Sequence, residues 1–171
     1  SDAPSDCKDC PSGRYLPTTG SATVSDCIDC IAGKYVVTTG SDEADDCIDC
    51  AAGKYVDVAG SGAPSDCKNC PAGTYVDVAG SNSTTDCIKC VAGKYVFLPG
   101  SNEASDCIDC AVGKYLEYAG GDEVTDCKDC PKGRFLTTTG SADVSACIDC
   151  IAGKYVAVTG SDAPSDCIDC A

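Results

Sequence analysis

The feature that most constrains the fold is a repeat of 20 residues that fills the chain and never changes length. Each unit has a Cys-x-x-Cys pair near its middle and a glycine at its end, as residues 21–40 illustrate. A fixed period of this size is typical of solenoids and linear arrays, whose units are stabilised mainly by their neighbours. We therefore expect residues 1–171 to form one continuous array of eight full repeats and half of a ninth.

A longer period of 60 residues is superimposed on the period of 20 residues. The residue inside the cysteine pair runs Lys8, Ile28, Ile48 and then starts again at Lys68, and proline follows the pair in every third repeat. The blocks 1–60, 61–120 and 121–171 therefore form a 60-residue super-repeat. Duplication of a three-repeat cassette explains this pattern. The physical alternative is that successive repeats rotate by about a third of a turn, which would place the isoleucines against an apolar contact.

Each repeat contains two short segments that alternate polar and apolar residues, for example residues 46–50 and 54–58. Alternation with aromatic and β-branched residues predicts short strands, and the glycines around the second segment predict tight turns. Caps, a 3.6-residue period and sufficient length for a helix are all missing. The sequence predicts a small disulfide-rich repeat protein: an elongated rod or solenoid with short β-strands and little or no helix.

The composition requires cross-links. Few large aliphatic residues and a net charge of −15 would by themselves predict disorder, but the chain has 18 cysteines. Such a cysteine density is typical of oxidising compartments, so we expect an extracellular or cell-surface location. The sequence has no apolar run that would span a membrane, and 27 acidic against 12 basic residues argue against a nucleic-acid partner.

Three chemistries use Cys-x-x-Cys pairs. Consecutive pairs have a spacing that matches a four-thiolate zinc site, but nine pairs do not divide into whole sites and the chain has no histidine. Redox catalysis needs a cysteine of low pKa at a helix start, whereas a neighbouring aspartate raises the pKa of a thiol. Structural disulfides are the interpretation that we favour.

The connectivity of these disulfides has two solutions. Joining the second cysteine of one pair to the first of the next gives uniform loops, each worth about 3 kcal/mol in the chain-entropy model. The rival scheme joins equivalent cysteines, such as Cys7 and Cys27. The first scheme leaves Cys7 and Cys170 to pair beyond this stretch and uses Cys10, Cys27, Cys30, Cys47, Cys50, Cys67, Cys70, Cys87, Cys90, Cys107, Cys110, Cys127, Cys130, Cys147, Cys150 and Cys167.

The segments at 10–15, 70–75 and 130–135 read Cys-Pro-x-Gly-x-Tyr, with Phe135 in the last, and each is followed by a glycine and a Cys-x-x-Cys pair. This pattern resembles the ephrin-receptor-like cysteine-rich repeat, within the broader TNF-receptor type of module. The resemblance covers the whole chain and implies the bond Cys10–Cys27 and its equivalents. It also implies extracellular stalks, spacers and receptor or adhesion surfaces. Ile, Val or Ala replaces the proline in six of nine units, and the constant length favours an assembly.

Several residue columns have a structural and a functional interpretation. The aromatic column that begins with Tyr15 and Tyr35 either packs along the rod or forms a carbohydrate-binding face. The aspartate before every pair but one, where Ala146 stands, either caps a turn or forms a calcium site with the aspartate inside the pair. Capping is the interpretation that we favour, so no cofactor is expected. Asn82 begins an N-glycosylation sequon. The candidate O-glycan acceptors are Thr18, Thr19, Thr38, Thr39, Thr138 and Thr139.

The function that the sequence favours is structural: an extracellular rod that forms or belongs to a filament, an appendage or a surface stalk. Its expected partners are further copies of the array and covalently attached glycans. The alternative is a receptor or adhesion ectodomain that binds a protein or glycan ligand. An enzyme is not expected, because the chain has no histidine and no unique nucleophile with its base.

Overall fold

The computed structural model of the chain describes residues 8–19, 21 and 23–170. Each of the second to eighth repeats contributes a three-residue 3-10 helix and two strands of two residues each, while the described part of the first repeat contributes one strand and that of the ninth a 3-10 helix and one strand. The strands are β1 Arg14–Tyr15, β2 Ile28–Asp29, β3 Lys34–Tyr35, β4 Ile48–Asp49, β5 Lys54–Tyr55, β6 Lys68–Asn69, β7 Thr74–Tyr75, β8 Ile88–Lys89, β9 Lys94–Tyr95, β10 Ile108–Asp109, β11 Lys114–Tyr115, β12 Lys128–Asp129, β13 Arg134–Phe135, β14 Ile148–Asp149, β15 Lys154–Tyr155 and β16 Ile168–Asp169.

The 3-10 helices lie just before the cysteine pairs, at Val24–Asp26, Ala44–Asp46, Pro64–Asp66, Thr84–Asp86, Ala104–Asp106, Val124–Asp126, Val144–Ala146 and Pro164–Asp166. The described part of the chain contains no α-helix. The predicted disulfide-rich fold of short strands is therefore confirmed, although each strand has two residues where the alternating segments have five.

The strands form two-stranded antiparallel sheets that connect neighbouring repeats. The second strand of one repeat pairs with the first strand of the next, as in β3 and β4, where Lys34 faces Asp49 and Tyr35 faces Ile48. Gly33 precedes β3 with a φ of 92°, a conformation that only glycine adopts without strain, so the chain turns sharply between the cysteine pair and the strand. Each hairpin-like pair thus belongs to two repeats.

The chain divides into two compact units. The first contains the described residues up to Cys70 together with Val76–Cys87, and the second contains Pro71–Tyr75 together with the described residues from Ile88 onward.

Within the first unit, repeats also bond to their next-but-one neighbours. The Val36 amide donates to the Ser61 carbonyl at 3.1 Å, beside a parallel bridge between Tyr35 and Ser61. The second unit repeats this arrangement, with the Val96 amide donating to the Gly121 carbonyl at 3.0 Å. Because residues 36 and 61 belong to the second and fourth repeats, a repeat needs two successors to satisfy its backbone.

The apolar interior is a series of small clusters with one disulfide in each. In the first unit, Cys50, Val56 and Cys67 are at most 7% exposed, and Tyr35 packs against them. In the second unit, Cys110, Leu116 and Cys127 are equally buried, and Tyr95 packs against them. A cluster of this size does not bury enough apolar surface to order a chain, so the cross-link supplies the remaining stabilisation.

Lysine or isoleucine stands at the position after the first cysteine of each pair, but this position is exposed in the lysine and the isoleucine repeats alike. Ile28 and Ile48 are 46% and 51% exposed, and Lys68 at the same place in its repeat is also exposed. The residues after the pair behave alike, since Ile31 is 67% exposed and Pro71 is exposed as well. The apolar contact predicted for the isoleucine repeats therefore does not form within the described chain.

Candidate functional site

The disulfides are the feature that most directly links structure to function. Each of the eight bridges joins the second cysteine of one pair to the first of the next, with Cα atoms 5.6–5.8 Å apart. The bridges are Cys10–Cys27, Cys30–Cys47, Cys50–Cys67, Cys70–Cys87, Cys90–Cys107, Cys110–Cys127, Cys130–Cys147 and Cys150–Cys167. This is the pairing that the loop argument favoured and that the resemblance implied. Cys27 bonds Cys10, so it does not bond Cys7 as the rival scheme required.

These bridges leave few thiols for other chemistry. Among the described residues, only Cys170 is unpaired, and its side chain is exposed. Cys7 lies outside the described residues. The pairing of both with further repeats stays a prediction.

Successive bridges form a covalent path that bypasses most of the chain. Each bridge spans a sequence separation of 17 residues, and within the first unit Ile28 and Asp29 alone separate the bridge at Cys27 from the next at Cys30. This path consists of the disulfides and short backbone links, and the remaining residues of each loop lie outside it. The covalent path through the disulfides is thus continuous from repeat to repeat.

In six of the described repeats, the aspartate before the pair caps the turn that leads into the pair. Asp106 accepts hydrogen bonds from the backbone amides of Asn102 at 2.9 Å and Glu103 at 3.1 Å. Equivalent bonds are made by Asp46, Asp66, Asp86, Asp126 and Asp166. The carboxylate satisfies two amides at the start of a 3-10 helix, which is the capping interpretation of this column.

Most pairs also contain an aspartate between the two cysteines, and this aspartate has a different partner. Asp49 forms an ion pair with Lys34 at 2.8 Å, and Asp109 forms one with Lys94 at 2.7 Å, in each case across the two-stranded sheet. Thus the two aspartates of a repeat do not share a ligand. No group of three or more potential metal ligands occurs in the described part of the chain, so the calcium interpretation, which was the alternative to capping, finds no support there.

Ala146 offers a test of the cap, because it occupies the capping position in the eighth repeat. There Asp143 instead accepts from the Ser145 amide at 2.6 Å. We expect Ala146→Asp to stabilise its repeat by about 0.5–1 kcal/mol, the usual worth of such a cap. Hydrogen exchange of the amides at 142 and 143 should slow in this variant. The reverse change, Asp106→Ala, should speed exchange at 102 and 103, and equal exchange in all three proteins would refute the capping role.

One cap is reinforced by a side chain. The Tyr118 hydroxyl donates to Asp126 at 2.6 Å, which lowers the pKa of Asp126, together with the amides of Glu123 and Asp122. The same bond raises the pKa of Tyr118 to about 12. No other described repeat has a tyrosine at this position.

The Tyr118 contact predicts a change in acid titration. Because the folded pKa of Asp126 is lowered, its contribution to stability is present above the ordinary value of 3.8 and is lost as the pH falls through the folded pKa. Tyr118→Phe should raise the pKa of Asp126, measured by carbon-13 NMR of the carboxyl groups. Asp143, whose pKa is lowered by the Ser145 amide, is the internal control and should not move. An unchanged Asp126 would contradict the contact.

The aromatic column packs along the array. Tyr15 lies against the cluster of Cys30, Val36 and Cys47, and Tyr75 lies against the equivalent cluster in the second unit. Each of these rings is partly buried, so it extends the small apolar cluster beside a disulfide. The structure thus gives these residues the packing role rather than an open carbohydrate-binding face.

The predicted glycan acceptors are exposed. Asn82 lies on a turn, and its own amide and that of Ser83 donate to Asp86, which leaves the Asn82 side chain in solvent. The threonines Thr18, Thr19, Thr38, Thr39, Thr138 and Thr139 are exposed as well. Their accessibility suits modification, and glycosylation itself stays a prediction.

Sequence reasoning missed two columns. The first is the ladder of ion pairs, for which the signal was a lysine or arginine followed 15 residues later by an aspartate, as in Arg14 and Asp29. The second is the serine after each closing glycine, which is buried at Ser41, Ser61 and Ser81. Its recurrence in almost every repeat was the available signal.

Comparison with known proteins gives a family. Residues 33–87 and 93–147 each match the model described as tyrosine-protein kinase ephrin type A/B receptor-like, and together they span more than half of the chain. No curated protein matches the sequence. No helix in the described residues is long and apolar enough to cross a membrane. The repeats are a non-catalytic, disulfide-rich type of module with the features of extracellular proteins. The chain belongs to the ephrin-receptor-like family of cysteine-rich repeats.

Proposed function

We propose that the chain is a load-bearing extracellular element, a disulfide-stapled rod that forms or belongs to a filament, an appendage or a surface stalk. The observation that carries this proposal is the covalent path through the bridges, in which two residues separate one disulfide from the next. Backbone bonds from each repeat to its two successors add lateral support. The net charge of −15 keeps such an element hydrated and limits non-specific contacts.

Stretching single molecules tests the mechanical part of the proposal. Each bridge shortcuts 17 residue steps of about 3.4 Å, less its own Cα separation of 5.8 Å, so reduction should release about 50 Å per bridge. Without a reductant the array should lengthen only slightly before it resists high force. Equal extension with and without a reductant would show that the bridges do not carry the load.

Imaging of the native material tests the biological part. We expect filaments or stalks in electron micrographs. We also expect the intact mass before reduction to be that of a chain in which all the bridged cysteines are oxidised to disulfides. Peptide mapping without reduction should recover Cys10 linked to Cys27 and the equivalent pairs. Discrete monomers with free thiols would argue against the filament.

A receptor or adhesion role is the second candidate. It is favoured by one observation, the departure of the fifth repeat from the otherwise regular surface at Phe97, Leu98 and Pro99. Uniform repeats favour assembly, whereas a local irregularity favours recognition of a specific partner.

A further inference from the structure

The surface of the second unit has one apolar face that departs from the repeat. Phe97 and Leu98 are 54% and 59% exposed, and they follow the buried Val96. In the other described repeats, the position of Phe97 holds Pro17, Val37, Asp57, Asp77, Glu117, Thr137 or Ala157. The fold therefore does not require an aromatic side chain at this position. An exposed aromatic ring also places apolar surface in contact with water, which is unfavourable unless a partner covers it.

Phe97 separates two open grooves, which we call the Phe97 grooves. The first has a volume of about 480 Å³, and its apolar lining includes Phe97, Leu98, Pro99 and Ile108. The second has a volume of about 510 Å³, and its apolar lining is Tyr95, Phe97 and Val124. Each groove is large enough to accept side chains of a ligand, and both are largely apolar.

The charged groups around the Phe97 grooves have one sign. Asp106 lines the first groove and Glu123 lines the second, and none of the described lining residues is basic. Neither carboxylate forms an ion pair with a described residue. The nearby Lys94 is paired with Asp109. The grooves thus combine apolar walls with negative charges that lack a cationic partner.

The equivalent groove in the first unit differs in both respects. Its volume is about 460 Å³, and Lys68 stands there at the position of Ile108. Lys68 forms an ion pair at 2.8 Å with Asp57, which stands at the position of Phe97. In the first unit the groove therefore contains an ion pair between the third and fourth repeats, Asp57 with Lys68. In the second unit the fifth and sixth repeats place the apolar side chains of Phe97 and Ile108 at these two positions.

We propose that the Phe97 grooves bind a basic peptide segment of a partner protein. Apolar side chains of the segment lie on either side of Phe97, and its lysines or arginines pair with Asp106 and Glu123. Apolar burial supplies the affinity and the charges fix the orientation. A second copy of the chain fits less well, because it would bring the same carboxylates together. This assignment goes beyond the structural role and does not depend on it.

The test uses the full chain and a fluorescent synthetic peptide with a phenylalanine-leucine centre flanked by lysines. Phe97→Asp is the main variant, since Asp57 and Asp77 show that the repeat accepts aspartate there. It adds negative charge, so simple attraction of a basic peptide would not weaken. We expect binding by fluorescence anisotropy to fall about tenfold or more, because the burial of one aromatic side chain is lost.

Matched controls separate this proposal from its alternatives. Val78→Thr, at an exposed apolar site of the fourth repeat, should leave binding unchanged. A peptide with glutamates in place of lysines should bind much more weakly to the wild-type chain. Equal binding of the peptide to wild type and Phe97→Asp would overturn the proposal in favour of attraction by net charge. Sedimentation without peptide tests the remaining alternative. If the wild-type chain formed dimers and Phe97→Asp abolished them, the proposal would be overturned in favour of a second copy as the occupant.

Discussion

Replacing Gly93 with alanine is expected to lower the free energy of unfolding by about 2–5 kcal/mol. Gly93 has a φ of 86°, which costs alanine about 1–2 kcal/mol. A Cβ there would also lie 2.6 Å from the carbonyl carbon of Gly140, which belongs to the next-but-one repeat. The overlap is with backbone, so the repeats must separate, at a cost of about 1–3 kcal/mol typical of overpacking.

Gly153→Ala is the matched control. Its φ of 85° is almost the same, but nothing lies within 4 Å of the Cβ position. In this variant the free energy of unfolding should fall only by the strain of alanine at a positive φ, which is about 1–2 kcal/mol. Urea unfolding under non-reducing conditions, with hydrogen exchange of the Cys110 amide that donates to Gly93, measures both effects. Equal destabilisation by the two variants would show that the close approach of Gly93 to Gly140 contributes nothing.

Removing one central bridge should have an effect of comparable size. In the double variant Cys90→Ala and Cys107→Ala, the loss of loop constraint alone is worth about 3 kcal/mol. Both cysteines are at most 6% exposed in a cluster with Val96, so lost packing adds to this. Because a repeat array is stabilised by its neighbours, we expect amides of the adjoining repeats to lose exchange protection.

Cys170→Ser is the control for this change, since Cys170 forms no bridge with a described residue and its side chain is exposed. Its unfolding curve and exchange pattern should match those of the wild-type chain. If the double variant at Cys90 and Cys107 also unfolded like wild type, the packed clusters rather than the bridges would hold the array together.

Much of the local structure could be predicted from the sequence, because it depends on short-range patterns. Alternation around Tyr35 and Ile48 predicts the strands, and glycine at 33 predicts the turn between the cysteine pair and the strand of Tyr35. The pairing of Cys10 with Cys27 follows from the preference for uniform loops and from the family resemblance. The strands and the turn need only spacing and residue type, whereas the choice between the two pairing schemes also rests on the resemblance.

The contacts between next-but-one repeats could not be predicted, because most of them are made by backbone atoms. The bond from Val36 to Ser61 joins an amide to a carbonyl and leaves no trace in the side chains. The exposure of Ile28 has a related cause: periodicity marks an apolar residue but does not say which surface it meets. Conversely, the irregular Phe97 is plain in the sequence, but its grooves depend on residues from the next two repeats, such as Ile108 and Val124.

The next-but-one bonds also limit how such a chain can change in length. An extra residue within the third repeat would shift Ser61 relative to Val36, and one between Val36 and Ser41 would shift both Ser61 relative to Val36 and Ser41 relative to Tyr15. A partial insertion therefore breaks the register of repeats on both sides. Insertion or loss of a whole repeat keeps every such bond in register. The array can grow or shrink only in complete units, which accounts for a period that never varies along the sequence.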